Sequence, residues 1–198
     1  MSLFKIHTAI SAAPQLRLLF EEVEQNVSFV PNIFAVVAES EQALKAYEAM
    51  GRHLSSCPFT PSEKETIELV TSIENGCSYC VAGHSAFAAM QDVPDEIISS
   101  LRQNKPIDDP RLQALAEFTR KLIRSKGKIS NRDFILFFDA GFTKAQMMDV
   151  VLGISLKTFT NYISNAVSLP LDPQFQPYAW SGPEKTEFNE DQFLINQL

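Results

Sequence analysis

Apolar residues in this 198-residue chain recur at intervals of three and four, and nowhere do they alternate with polar ones at period two for long enough to make a half-buried strand. That pattern predicts an all-α fold, helix packed on helix. After Pro14, the residues Leu16, Leu19, Phe20, Val23 and Val27 share one side of a helix over 14–27, with Glu21, Glu22 and Glu24 on the other. Pro31 opens a short apolar helix over 32–38, and Ser40 caps the next, in which Leu44, Tyr47, Met50 and Leu54 repeat until Cys57-Pro58.

Thr60-Pro61-Ser62-Glu63 reads as a capping box, followed by Ile67, Val70 and Ile73 on one stripe and a stop at Asn75-Gly76. Further helices are expected over 77–90, from Pro94 to about Gln103, and from Asp109-Pro110 to a stop at Gly127, the last with Leu112, Leu115, Phe118, Leu122 and Ile123 inward. Residues 104–109 read as a linker. Ser130 caps a helix to Ala140, Thr143 caps a long one through about Val167, and the proline-rich stretch 170–198 with Trp180 reads as an irregular tail wrapping over a neighbour. Laying 59–85 over 142–168 aligns Phe59-Thr60, Leu69, Ser72, Tyr79 and Ser85 with Phe142-Thr143, Leu152, Ser155, Tyr162 and Ser168. Such an echo predicts a duplicated helical hairpin within one domain spanning 1–198, its halves at about 31–103 and 110–169.

A hydrophobic content of 45% with 21% charged residues is that of a globular protein. The net charge of -7, with Lys and Arg scattered, argues against a nucleic-acid surface. No apolar run is long enough to span a bilayer and Met1 to His7 lacks the pattern of a signal peptide, so the expectation is a cytoplasmic protein with no membrane partner. Three cysteines, two of them in a CxxC, do not form a disulfide framework.

The chemistry concentrates in the stretch 74–84. On a helix, Cys77, Cys80 and His84 stand at i, i+3 and i+7 and share one face. A turn at Asn75-Gly76 folds the preceding helix back, so that Glu65 meets His84 and orients its imidazole. His84 can take a thiol proton; the free N–H groups at the helix start favour Cys77 as the more acidic sulfur. The same residues fit other readings: two buried cysteines, or a zinc site of Cys77, Cys80, His84 and Glu65, strained because one helix supplies three ligands. Cys57 reads as a packing residue, His7 and His53 lack partners in the sequence, and Phe134, Phe137 and Phe138 read as core or subunit interface.

A glutamate, eleven residues, then Cys-x-x-Cys-x-x-x-His resembles, position by position at Glu65, Cys77, Cys80 and His84, the alkylhydroperoxidase D-like proteins of the carboxymuconolactone decarboxylase superfamily. Pro31-Asn32, the helix order and the proline-rich end with Trp180 look like the peroxidase-related subgroup. The resemblance implies an all-helical bundle, assembly as trimers or hexamers, and thiol-dependent reduction of peroxides. It implies that Cys80 attacks the peroxide and becomes a sulfenic acid, that Cys77 condenses with it to a disulfide, that Glu65 and His84 relay the proton, and that a dithiol donor restores the pair without metal or other cofactor. The well-studied branch carries a second histidine between the cysteines. Here that position is Tyr79, an auxiliary candidate whose hydroxyl is a poor proton shuttle near neutral pH. Three alternatives stand beside this reading: a zinc-binding module, a redox sensor, and a lactone decarboxylase, the last having no need of a dithiol.

Overall fold

The structure, a computed structural model, describes residues 3–182. The N-terminal pair and the part of the expected tail beyond residue 182 lie outside the described residues. Among the described residues every regular element is helical: α1 (Arg17–Val27), α2 (Asn32–Val37), α3 (Glu41–Ser56), α4 (Pro61–Glu74), α5 (Ser78–Met90), α6 (Asp95–Arg102), α7 (Pro110–Arg124), α8 (Asn131–Asp139) and α9 (Lys144–Val167), with short 3-10 turns at Pro14–Leu16 and Pro173–Tyr178. None of these helices is long and apolar enough to cross a membrane.

The caps behave as their residue types dictate. Thr60, Ser130 and Thr143 each accept from the backbone three residues on, while Glu63, Asp133 and Gln146 reach back to close the box. The helix α4 ends at Gly76, which takes φ 62° and lets Gly76 N–H reach Ile73 O at 3.0 Å and Cys77 N–H reach Ser72 O at 2.9 Å. That paired closure is open to glycine at little strain, and it reverses the chain into α5.

The helix α4 packs against α5, α6, α7 and α9 and is the centre of the molecule. One side of it meets a core of Phe118, Phe137 and Phe142 with Ile67, Leu115 and Val150. Beside it lies a smaller core of Leu69, Val70, Val81, Leu101 and Leu112. A third, of Phe20, Phe34, Leu44, Tyr79, Cys80 and Phe175, surrounds the start of α5. Phe134, Phe137 and Phe138 divide accordingly: Phe137 is 1% exposed and stacks on Phe118 and Phe142, with centroids 4.1 and 4.6 Å away, and its two neighbours are half-buried around it. Where α9 crosses α4, position 153 is glycine; a Cβ there would stand 2.7 Å from Ile67 Cγ2.

The bundle is all-helical, but the hairpin of α4 and α5 is not repeated over 142–168. Both stretches open with Phe-Thr and a capping box, and there the likeness stops, because α9 runs unbroken through Thr158-Phe159 where the first stretch turns at Asn75-Gly76. No residue of that segment takes the left-handed conformation until Ser168, so nothing interrupts the helix. The described part of the tail wraps back onto its own chain: Phe175 packs on α5, and Trp180 Nε1 donates to Arg102 O at 3.1 Å.

Candidate active site

Cys77 caps α5, its sulfur accepting from Cys80 N–H at 3.4 Å, and Cys80 sits one turn in. Both are free thiols, 0% and 3% exposed. The turn that places them is tied to α9, where Asn161 Oδ1 accepts from Asn75 Nδ2 at 3.0 Å and Asn165 Nδ2 donates to Asn75 O at 3.1 Å. The same face of α9 puts Ser164 Oγ 3.7 Å from Cys80 Sγ.

Of the expected residues, Glu65 and His84 meet directly and line one cavity with Cys80. His84 Nδ1 lies 2.9 Å from Glu65 Oε2, with Glu68 Oε2 at 3.4 Å, and Gln91 Nε2 donates to the other Glu65 oxygen at 2.8 Å. The other imidazole nitrogen, Nε2, meets Lys157 Nζ at 2.5 Å. An ammonium has no acceptor, so Nε2 must accept and the proton of a neutral imidazole sits on Nδ1, donated to Glu65. Lys157 is 4% exposed, and neither it nor Glu68 stands out in the sequence. One signal was there to read. Lys157, Asn161 and Ser164 recur at helical spacing on the side of α9 that also carries Val150 and Gly153, a polar continuation of an inward stripe.

Electrostatics separates the two sulfurs. The Cys77 thiol, donating its proton to Cys80 and buried, is raised far above the usual range; Cys80, receiving that hydrogen bond and facing the Lys157 cation, is lowered despite burial. This reverses the order expected from the helix start: the hydrogen bond from the Cys77 thiol, and then the Lys157 cation, favour the thiolate on Cys80. Burial also pushes Glu65 up to about 7 and His84 down to about 4. Lys157 would be lowered by burial alone, but Cys80, Glu68, Tyr47 and Cys77 together raise it.

Glu65 and His84 therefore act on stability in opposite senses. A carboxyl raised from 4.5 to about 7 stabilises the native state while protonated, a contribution full below pH 4.5 and lost as pH rises to 7. An imidazole lowered from 6.5 to about 4 contributes above pH 6.5 and loses that contribution as pH falls to 4. In the parent these slopes offset. His84→Gln is expected to leave a chain that loses stability as pH rises through this window, and Glu65→Gln one that gains it, each by about 2–3 kcal/mol. Urea unfolding across the window reads both; slopes of the same sign in the two variants would contradict the assignment.

Tyr79 does different work from a relay. Its hydroxyl donates to Asp172 Oδ2 and accepts from Ile33 N–H at 3.1 Å, while Asp172 Oδ1 accepts from Asn32 N–H at 3.0 Å. The phenol thus clasps the start of α2 and the segment after α9 onto α5. Tyr79→Phe leaves Asp172 and the Ile33 N–H short of a partner, and about 1–3 kcal/mol of stability is expected to go with it. Thermal or urea unfolding checks this, and unchanged stability would remove the clasp. Of the other sequence candidates, His7 pairs with Glu39 at 2.8 Å, and the half-buried Cys57 donates to His53 O at 3.3 Å. Neither touches the thiol site.

Cys80 and His84 open onto a cavity of about 440 Å³, together with Glu65, Glu68, Lys157 and Tyr79. Its walls are largely apolar and aromatic, with Leu19 and Val23 of α1, Phe34 of α2, Tyr47 and Leu54 of α3, Phe87 and Phe175, and Glu22, Glu48, Arg52 and Lys64 also line it. Cys77 does not line it. As for metal, the group of potential ligands that converges among the described residues is Glu65, Glu68 and His84, with atoms within 4.8 Å of one another. Neither cysteine joins that group, so the four-ligand zinc set is not assembled.

Residues 41–131 match the profile of the Carboxymuconolactone decarboxylase family. No match was found among curated protein sequences. Among solved structures, the chain is similar to an alkylhydroperoxidase D core, a peroxidase-related protein from Ralstonia eutropha JMP134, at 23% identity and TM-score 0.80 over 88% of this chain and 94% of that one. It is similar also to a peroxidase-related protein from Silicibacter sp. TM1040, at 22% identity and TM-score 0.75 over 88% and 97% of the two chains. A third similar structure is a variant of the debrominase Bmp8 in complex with 2,3,4-tribromopyrrole, at 17% identity and TM-score 0.74 over 90% and 97%. At these identities the structures speak for the fold, and the profile match over α3 to α7 speaks for descent. Residues 41–131 thus match the carboxymuconolactone decarboxylase family, and the fold is that of the alkylhydroperoxidase D-like proteins.

Proposed function

We propose that this chain is a thiol-dependent peroxidase, reducing an organic peroxide with the Cys77–Cys80 pair and being restored by a dithiol donor. The observation that carries the reading is the inequality of the two sulfurs: Cys80 lines the cavity and is the more acidic, while Cys77 lies behind it, buried and protonated. The Cys80 thiolate attacks the distal peroxide oxygen, the O–O bond breaks, and Cys80 becomes a sulfenic acid as the alcohol leaves. Cys77 then attacks the Cys80 sulfur, the S–O bond breaks, and water departs. Thiol–disulfide exchange with the donor returns both thiols. Peroxide consumption with a panel of dithiol donors, run beside Cys80→Ser, tests the reading, and unchanged turnover in the variant sinks it.

The aromatic walls next to Cys80 support a second reading, reductive dehalogenation of a halogenated aromatic by the same dithiol, as a debrominase is among the similar structures. Halide release from a brominated aromatic under the same donors, without peroxide consumption, would select it. With the peroxidase reading go a reducing, cytoplasmic setting and a homo-oligomer, trimer or hexamer. Support for assembly comes from Met148 and Tyr162, 65% and 63% exposed on the outer side of α9.

A further inference from the structure

We infer that Lys157 is the proton-exchanging partner of Cys80, and that His84 is the anchor that aims it. The final step of this inference rests on the peroxidase reading; its charge pairing does not. Both imidazole nitrogens are occupied, Nδ1 by Glu65 at 2.9 Å and Nε2 by Lys157 at 2.5 Å, so His84 has no lone pair left to receive a proton from a thiol. Lys157 has what His84 lacks. It is buried, it lines the same cavity as Cys80, and an ammonium keeps two N–H groups after one is given to His84. The ionisable groups facing it are Cys77, Cys80 and His84 of α5, Glu65 and Glu68 of α4, and Tyr47 of α3. Tyr47, raised by burial, keeps its proton at neutral pH, and Glu65, raised to about 7, carries only part of a charge there, so the cation chiefly faces Glu68 and Cys80.

The protons balance. Lys157 holds the Cys80 thiolate as an ion pair; when the O–O bond breaks, the leaving alkoxide takes a proton from the ammonium and departs as alcohol, leaving a neutral amine. The Cys77 thiol proton leaves with the hydroxide of the sulfenic acid as water, the disulfide forms, and the two protons of the dithiol donor restore the Cys77 thiol and the Lys157 ammonium.

Iodoacetamide labelling of the reduced full chain across a pH series, with the Cys80 adduct located by peptide fragmentation, reads the pairing without peroxide. Lys157→Met is expected to lower Cys80 labelling at neutral pH by about tenfold or more, since one pKa unit is a tenfold change in thiolate. His84→Gln, whose amide oxygen still accepts from Lys157, is expected to keep most of it. Where Lys157→Met loses its helical circular dichroism, Lys157→Gln serves in its place, keeping a donor without the charge. Parental labelling in the neutral variants, or a greater loss in His84→Gln than in Lys157→Met, overturns the inference. Lys157→Arg separates charge from proton transfer, because a guanidinium stays protonated. Labelling is expected to persist while peroxide turnover falls about tenfold or more, and parental turnover in Lys157→Arg overturns the proton-donor role. A parent inert to peroxides that shows this labelling pattern refutes the peroxidase reading and upholds the Lys157–Cys80 pair.

Discussion

Serine at position 80 is expected to lower peroxide consumption by roughly a thousandfold or more, whereas serine at position 77 is expected to permit a single turnover per chain. The two losses differ because the sulfurs occupy different places. Cys80 lines the cavity, so on the proposed peroxidase reading Cys80→Ser removes the nucleophile for the O–O bond and leaves an alcohol of far lower acidity. Cys77 is fully buried and does not line the cavity, so on the same reading it acts after the first step and Cys77→Ser strands the sulfenic acid. A stopped-flow burst of one equivalent of peroxide in Cys77→Ser, followed by trapping of the sulfenic acid with dimedone, checks the order of events. A burst in Cys80→Ser instead would exchange the two roles.

The largest expected effect on stability lies away from the thiols. Phe137→Ala removes the middle ring of the stack with Phe118 and Phe142 in a core that also holds Ile67 of α4, and is expected to cost about 3–5 kcal/mol. Phe138, half-buried at the edge, is expected to cost clearly less when truncated. Chemical denaturation of the two variants gives the comparison, and equal losses would contradict the placement of Phe137.

How far the sequence could be read depended on the range over which each feature is decided. The caps at Thr60, Ser130 and Thr143 are legible because cap and responder lie three residues apart. The meeting of Glu65 with His84 is legible because one turn at Asn75-Gly76 fixes it. Lys157 is not, since its partner is 73 positions away and a lysine on an amphipathic helix reads as solvated until the packing is known. Asp172, 93 positions from Tyr79, escapes for the same reason, and with it the structural task of the tyrosine. The echo of 59–85 in 142–168 misleads for the opposite reason. Shared caps and apolar spacing describe how a helix starts and which side it buries, and neither says whether it turns back after fourteen residues or continues, as α9 does.

Gly153 contributes no functional group, yet it lies one helical turn from Lys157 at a point where even a methyl would run into Ile67. The reach of an ammonium to an imidazole is a matter of tenths of an ångström, and the clearance between α9 and α4 is set by an absent side chain. The calibration of the proposed proton path is thereby held in the spacing of two helices: a chain that lost this glycine could keep every reactive residue and still hold them out of register.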